Sequence, residues 1–100
     1  MTKPMEDPID IEAYAKDGRP VPAAASYRIR IDKDHYTVNS PKITGGELLE
    51  LAKKDPGKFG IYQHVRGRSS RVALDAVVDL TAPGVERFST LPLDQTEGEE

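Results

Sequence analysis

The sequence predicts an α+β domain in which a mixed sheet of four to five strands packs on one helix. Three observations carry this. Two runs of alternating apolar and polar residues stand side by side over residues 26–39, and a capped amphipathic segment follows at 43–54. Short apolar runs broken by Gly, Pro and polar turns then continue to residue 91.

In the first run, Ser26-Tyr27-Arg28-Ile29-Arg30-Ile31-Asp32, Tyr27, Ile29 and Ile31 point one way and Arg28 and Arg30 the other. Lys33-Asp34 reads as a tight polar connection. His35-Tyr36-Thr37-Val38-Asn39 resumes the alternation with Tyr36 and Val38 inward, so the pair predicts a β-hairpin with one wet face. In Ile43-Thr44-Gly45-Gly46-Glu47-Leu48, Thr44 and Glu47 have capping-box spacing, and Ile43 and Leu48 that of a hydrophobic staple. Leu48, Leu49, Leu51 and Ala52 supply the buried stripe of a helix of about 11 residues, which Asp55-Pro56-Gly57 stops. The caps are expected to outweigh the two glycines.

Phe59 to Val65 predicts a third strand with Ile61 and Val65 inward, turned by Arg66-Gly67-Arg68-Ser69-Ser70. Arg71 to Leu74 predicts a short fourth strand, and Asp75 to Leu80 a turn-rich segment beneath the core. Val85 to Leu91 is the closing strand, with Phe88 its anchor.

Residues 1–25 read as an extension. Asp7 can cap a short helix over about 8–16, with Pro8 in its first turn and Lys16 and Gly18 at its end. The alternation Ile9-Asp10-Ile11-Glu12 leaves open a strand added to a sheet edge. Arg19 to Ala25 is a Pro/Ala linker. The expected organisation is therefore extension 1–25, domain 26–91 and flexible tail 92–100, with the domain folding without residues 1–25.

With 100 residues there is room for one domain, and about 65 core residues bury roughly 60% of their unfolded surface. The absence of cysteine excludes disulfides and thiol nucleophiles, and it fits the cytoplasm. Residues 1–10 hold charges and prolines, so no signal peptide is expected, and no apolar run suits a membrane span. A net charge of −3 argues against nucleic acid as partner. The two histidines, His35 and His64, fall in separate strands without cysteine or an i,i+4 partner, so neither a metal site nor a catalytic base is expected. Asp75 and Asp79 read as turn or cap residues, and Gly45-Gly46 as a helix entry. No catalytic set and no cofactor motif appear, so the chain is not expected to be an enzyme. Arg28, Arg30, Tyr62, His64 and Arg66 could line an exposed face that docks a partner.

Hairpin, crossing helix and closing strand are the plan of the ubiquitin-like β-grasp, in which the closing strand lies parallel beside the first. The words Tyr27-Arg28-Ile29-Arg30-Ile31-Asp32, Ile43-Thr44-Gly45-Gly46-Glu47-Leu48-Leu49, Val78-Asp79-Leu80 and Pro83-Gly84-Val85-Glu86-Arg87-Phe88 resemble the bacterial multiubiquitin-domain family over roughly residues 26–91. The resemblance implies a modifier served by an E1-like activating enzyme, an E2-like conjugating enzyme and a processing or deconjugating peptidase, in systems linked to antiphage defence.

On that reading the chemistry resides in the tail. Pro92 to Gly98 can span about 23 Å, and glycine passes where a side chain would clash. The carboxylate of Gly98 would be conjugated to target proteins once Glu99 and Glu100 are removed; use of an untrimmed Glu100 is the alternative. Two rivals remain: a non-covalent protein-binding adaptor, and a sulfur carrier. Sulfur carriers end in paired glycines, whereas Gly98 is single.

Overall fold

The computed structural model describes residues 8–93. In chain order the elements are β1 (Ile9–Asp10), α1 (Ile11–Lys16), β2 (Tyr27–Ile31), β3 (Asp34–Val38), β4 (Lys42–Thr44), α2 (Gly45–Leu51), β5 (Phe59–Val65), β6 (Arg68–Val72), β7 (Val77–Asp79) and β8 (Val85–Pro92). The main sheet runs β1-β2-β8-β5-β6, with β3 on the other edge of β2. The closing strand β8 lies parallel to β2, with Phe88 opposite Ile31, and antiparallel to β5. This is the mixed sheet and crossing helix of a ubiquitin-like β-grasp.

Alternation in β2 does what its pattern requires: Tyr27, Ile29 and Ile31 are buried and Arg28 is exposed. Asp32 makes the hairpin turn in the left-handed region (φ 58), so the connection is Asp32-Lys33 and Asp34 already belongs to β3. Asp32 also ties the hairpin to the closing strand. Its N–H donates to the Phe88 carbonyl (2.9 Å), and its carboxylate accepts from the N–H and hydroxyl of Thr90 (2.9 and 2.7 Å).

Helix α2 opens with the expected capping box: the Glu47 N–H donates to Thr44 Oγ1 and the Thr44 N–H to Glu47 Oε1. It is seven residues long, not about 11. The reason lies at Lys53, which adopts φ 60, so that its N–H reaches the Glu50 carbonyl and the Lys54 N–H the Leu49 carbonyl. These two bonds form a Schellman motif, which ends the helix before Asp55-Pro56-Gly57. A lysine there carries a Cβ penalty that glycine avoids. Lys53→Gly is expected to raise the unfolding free energy by about 0.5–1 kcal/mol in urea melts.

Three further expectations are corrected. The turn after β5 needs only Arg66 (φ 53) and Gly67 (φ 82), both left-handed as in a type I′ hairpin, so Arg68 to Ser70 are strand and Ala73 and Leu74 are not. The segment read as turns contains β7, which pairs with β4 in a second, two-stranded sheet. Pro92 belongs to β8, and the Leu93 N–H donates to the Lys58 carbonyl (2.8 Å), so the body holds the first two residues assigned to the tail.

The extension uses both of its readings. Ile9 and Asp10 pair in parallel with Tyr27 and Arg28, beside the part of β2 that β8 leaves unpaired. Helix α1 then starts at Ile11 rather than near residue 8, because Asp10 is the cap and its carboxylate accepts from the Glu12 N–H (3.1 Å). Asp7 lies outside the described residues. Ile11 (0% exposed) and Val21 (7%) enter the same hydrophobic core as Tyr27, Leu48, Ile61 and Phe88. Full burial of a side chain of this size contributes about 1.5–3 kcal/mol.

Candidate functional site: the outer sheet face and the chain exit

Register decides which residues share the face of the sheet away from α2. Ile61 is buried, so Tyr62 and His64 point to the opposite side, and their β8 partners Ser89 and Arg87 join them. Arg71 is paired with Tyr62 across β5–β6, and Arg28 and Arg30 alternate with the buried residues of β2. Four of the five candidate docking residues, Arg28, Arg30, Tyr62 and His64, therefore lie on one face. Arg66 does not. It makes the left-handed turn at the end of β5, its N–H donates to the Gly84 carbonyl (3.1 Å), and its side chain lies against Gly84.

Of those four, Arg30 already has a partner. Its Nε and Nη2 donate to the two carboxylate oxygens of Glu12 at 3.0 and 2.6 Å. The Glu12 side chain is 12% exposed. A bidentate, partly buried pair is stronger than an ordinary surface ion pair. The hydrogen bond from Arg30 holds the Glu12 carboxyl below its ordinary value against the opposing effect of burial. Helix α1 thus covers part of the face that the pattern of β2 left open. The strip that stays accessible contains Arg28, Tyr62, Arg71 and the exposed Leu91. Sequence reasoning missed this cover, because the contact joins residues 18 apart across two elements.

His64 Nε2 lies 2.9 Å from Ser89 Oγ. Burial pushes the imidazole pKa down, and the nearby positive charge of Arg87 adds to this; Glu86 works in the other direction. On unfolding the ring returns to its ordinary value of 6.5, so below that pH the unfolded chain binds the proton more readily. Stability is then complete above about pH 6.5 and falls as the pH drops below it, levelling off once the folded protein is protonated as well. Replacing His64 with Gln is expected to flatten this part of the stability–pH curve in urea melts. The Glu12 contribution has a separate window: it is present above pH 4.5 and lost as the pH falls through the lowered folded value.

Other candidates fall into structural roles. The Asp79 carboxylate accepts from the N–H and hydroxyl of Thr81, which lower its pKa; it ends β7 and caps the turn that follows. His35 is exposed on β3. Among the described residues no group of three or more His, Cys, Asp or Glu could hold a metal ion. No helix among them is long and apolar enough to cross a membrane.

The remaining feature is the exit of the chain. Strand β8 ends with Pro92 opposite Phe59, and Leu93 is bonded to Lys58 at the start of β5. Gly98, Glu99 and Glu100 lie outside the described residues.

Fold and face together define a ubiquitin-like protein. The family comparison is consistent with that class: residues 27–92 match the multiubiquitin family, and the chain belongs to it. The match leaves out β1 and α1. No curated protein and no solved structure gives a significant match.

Proposed function

We propose that this chain is a ubiquitin-like modifier that is trimmed after Gly98 and joined through the Gly98 carboxylate to target proteins. The observation that carries the reading is membership of the multiubiquitin family, together with a closing strand that delivers the chain to the rim of the sheet at Lys58. Residues 94–98 beyond that rim can span about 17 Å, enough to enter a narrow channel in a partner.

The chemistry belongs to partners. An E1-like enzyme would join the Gly98 carboxylate to the AMP moiety of ATP, releasing pyrophosphate. A cysteine thiol of that enzyme, and then of an E2-like enzyme, would take the acyl group, with AMP leaving at the first transfer. A target amine or hydroxyl finally displaces the thiol. This chain has no cysteine, so every thioester sulfur comes from a partner. A peptidase would remove Glu99 and Glu100 beforehand. Antiphage defence in a bacterial cytoplasm is the proposed setting.

Non-covalent adaptor function is the second reading, favoured by the open strip of Tyr62, Arg71 and Leu91. Gly98→Trp separates the two. In cells carrying the partner enzymes, the modifier reading expects the ladder of higher-mass conjugates to fall at least about tenfold, because a side chain at the reacting carbonyl obstructs its approach. An unchanged phenotype with no conjugates in either chain would favour the adaptor.

A further inference from the structure

We propose that the open edge of β6 takes an extended acidic segment of a partner protein as an added strand, its carboxylates meeting Arg71 on one side of the sheet and Arg68 on the other. This site goes beyond the modifier reading and does not depend on it.

Among the described residues β6 pairs with β5 alone, and no strand lies beyond it. The two-residue turn Arg66-Gly67 makes the flanking pair, Val65 and Arg68, a hydrogen-bonded one, and bonded pairs then alternate through Gln63–Ser70 and Ile61–Val72. Ser69 and Arg71 therefore turn their N–H and C=O groups away from β5. No backbone partner among the described residues takes them, and residues 68–71 are exposed. The devices that commonly blunt a sheet edge are missing here: β6 holds no proline, and its register with β5 runs without a bulge. What guards this edge is charge.

From Pro56 to Leu74 the chain carries Lys58, Arg66, Arg68 and Arg71 and no Asp or Glu. Neither Arg68 nor Arg71 takes part in any ion pair among the described residues. Val72 is buried, so Arg68 and Ser70 share its side of the sheet and Ser69 and Arg71 the other, where Arg71 lies 6.0 Å from the Tyr62 ring centre. The two cations thus stand three residues apart on opposite faces of one edge. A strand laid along it meets them with two residues of the same spacing, and carboxylates there make both contacts. Charge also selects the occupant. A second copy pairing through this edge would bring two Arg68 and two Arg71 side chains onto one seam, which like-charge repulsion opposes. A nucleic acid would use the arginines and N–H donors but not the outward carbonyls, whereas a peptide strand meets donors and acceptors alike. The other open edge, β3, carries Asp34 within it and Lys33 beside it, so the uniform charge belongs to β6.

The probe is the end-capped peptide Val-Glu-Thr-Val-Glu-Thr-Val, titrated into the full 15N-labelled chain at about 20 mM salt. Saturable shifts are expected at the amides of Ser69 and Arg71, whose N–H groups gain a bond, while those of His35 and Thr37 on β3 stay in place. The lysine counterpart, Val-Lys-Thr-Val-Lys-Thr-Val, is expected to bind at least about tenfold more weakly. The glutamate peptide with every backbone nitrogen methylated is expected not to bind, because it keeps the charge and loses the donors. Arg68→Glu combined with Arg71→Glu is expected to reverse the preference between the two peptides. If that variant loses the dispersed spectrum of the folded chain, the three peptides on the unaltered chain carry the test. Absent shifts, shifts centred on β3, equal binding of the glutamate and lysine peptides, or undiminished binding of the methylated form would overturn the proposal. So would tighter binding of a short oligothymidylate at the same amides, because the occupant would then be nucleic acid. Shifts of Ser69 and Arg71 that grow with the concentration of the chain alone would overturn it too, because the occupant would be a second copy. Neither Gly98 nor an enzyme takes part, so failure here and failure of conjugation are separate results.

Discussion

Deleting residues 1–25 is expected to destabilise the domain by about 4–6 kcal/mol, which is most of the margin of a domain this size. Composition argues the other way, since the extension is polar and rich in Pro and Ala, and the family match begins at residue 27. Burial decides against composition. Ile11 is fully enclosed and Val21 nearly so, both in the main core. Their loss opens apolar surface along β2 and β8, removes the only strand paired with Tyr27 and Arg28 on that edge, and takes Glu12 from Arg30. Ile11→Ala isolates the core component and is expected to cost about 2–4 kcal/mol. Urea melts of the full chain, the single variant and the truncated chain measure all three. A truncated chain that melts within 1 kcal/mol of the full chain would mean that α1 is an ornament.

Gly45→Ala is expected to destabilise by about 2–3 kcal/mol, although alanine is favoured over glycine inside helices by up to about 1 kcal/mol. A Cβ at Gly45 would run into the Ala73 carbonyl oxygen and stand 3.1 Å from Val72 Cγ1. That carbonyl is backbone, and it is fixed by the Ala76 N–H (3.1 Å), so it cannot step aside as a side-chain tip could. Gly46 gives the control. A Cβ there meets only the Leu74 carbonyl at 3.4 Å, so Gly46→Ala is expected to be neutral or stabilising by up to about 1 kcal/mol. Opposite signs from neighbouring glycines in one helix would identify close approach, rather than propensity, as what fixes Gly45.

The same residue marks what the sequence allows a reader to infer. Thr44, Glu47, Ile43 and Leu48 announce the entry of α2 from spacing alone, because capping is a local interaction. The need for glycine at 45 does not appear there, since the obstacle comes from residue 73. Alternation made the faces of β2 and β3 legible, and Phe88 as anchor of β8. It could not give the parity of β8, where Val65 pairs with Val85 and His64 with Arg87, and Glu86 forms the irregularity. β4 and β7 were too short to signal a strand. Arg28, Arg30, Tyr62 and His64 share one face, as the alternation expects, but Glu12 covering Arg30 is a contact over 18 residues that no local pattern encodes.

The central claim is that a grasp-shaped body offers its C-terminal carboxylate as an acyl donor. Intact mass of the full chain tests it most directly, measured after incubation with the processing peptidase and then with ATP and the activating enzyme. The account predicts loss of the mass of two glutamate residues, followed by an ATP-dependent shift to an enzyme-bound species that thiols release. A chain that keeps Glu99 and Glu100 and forms no ATP-dependent species at any terminus would contradict it.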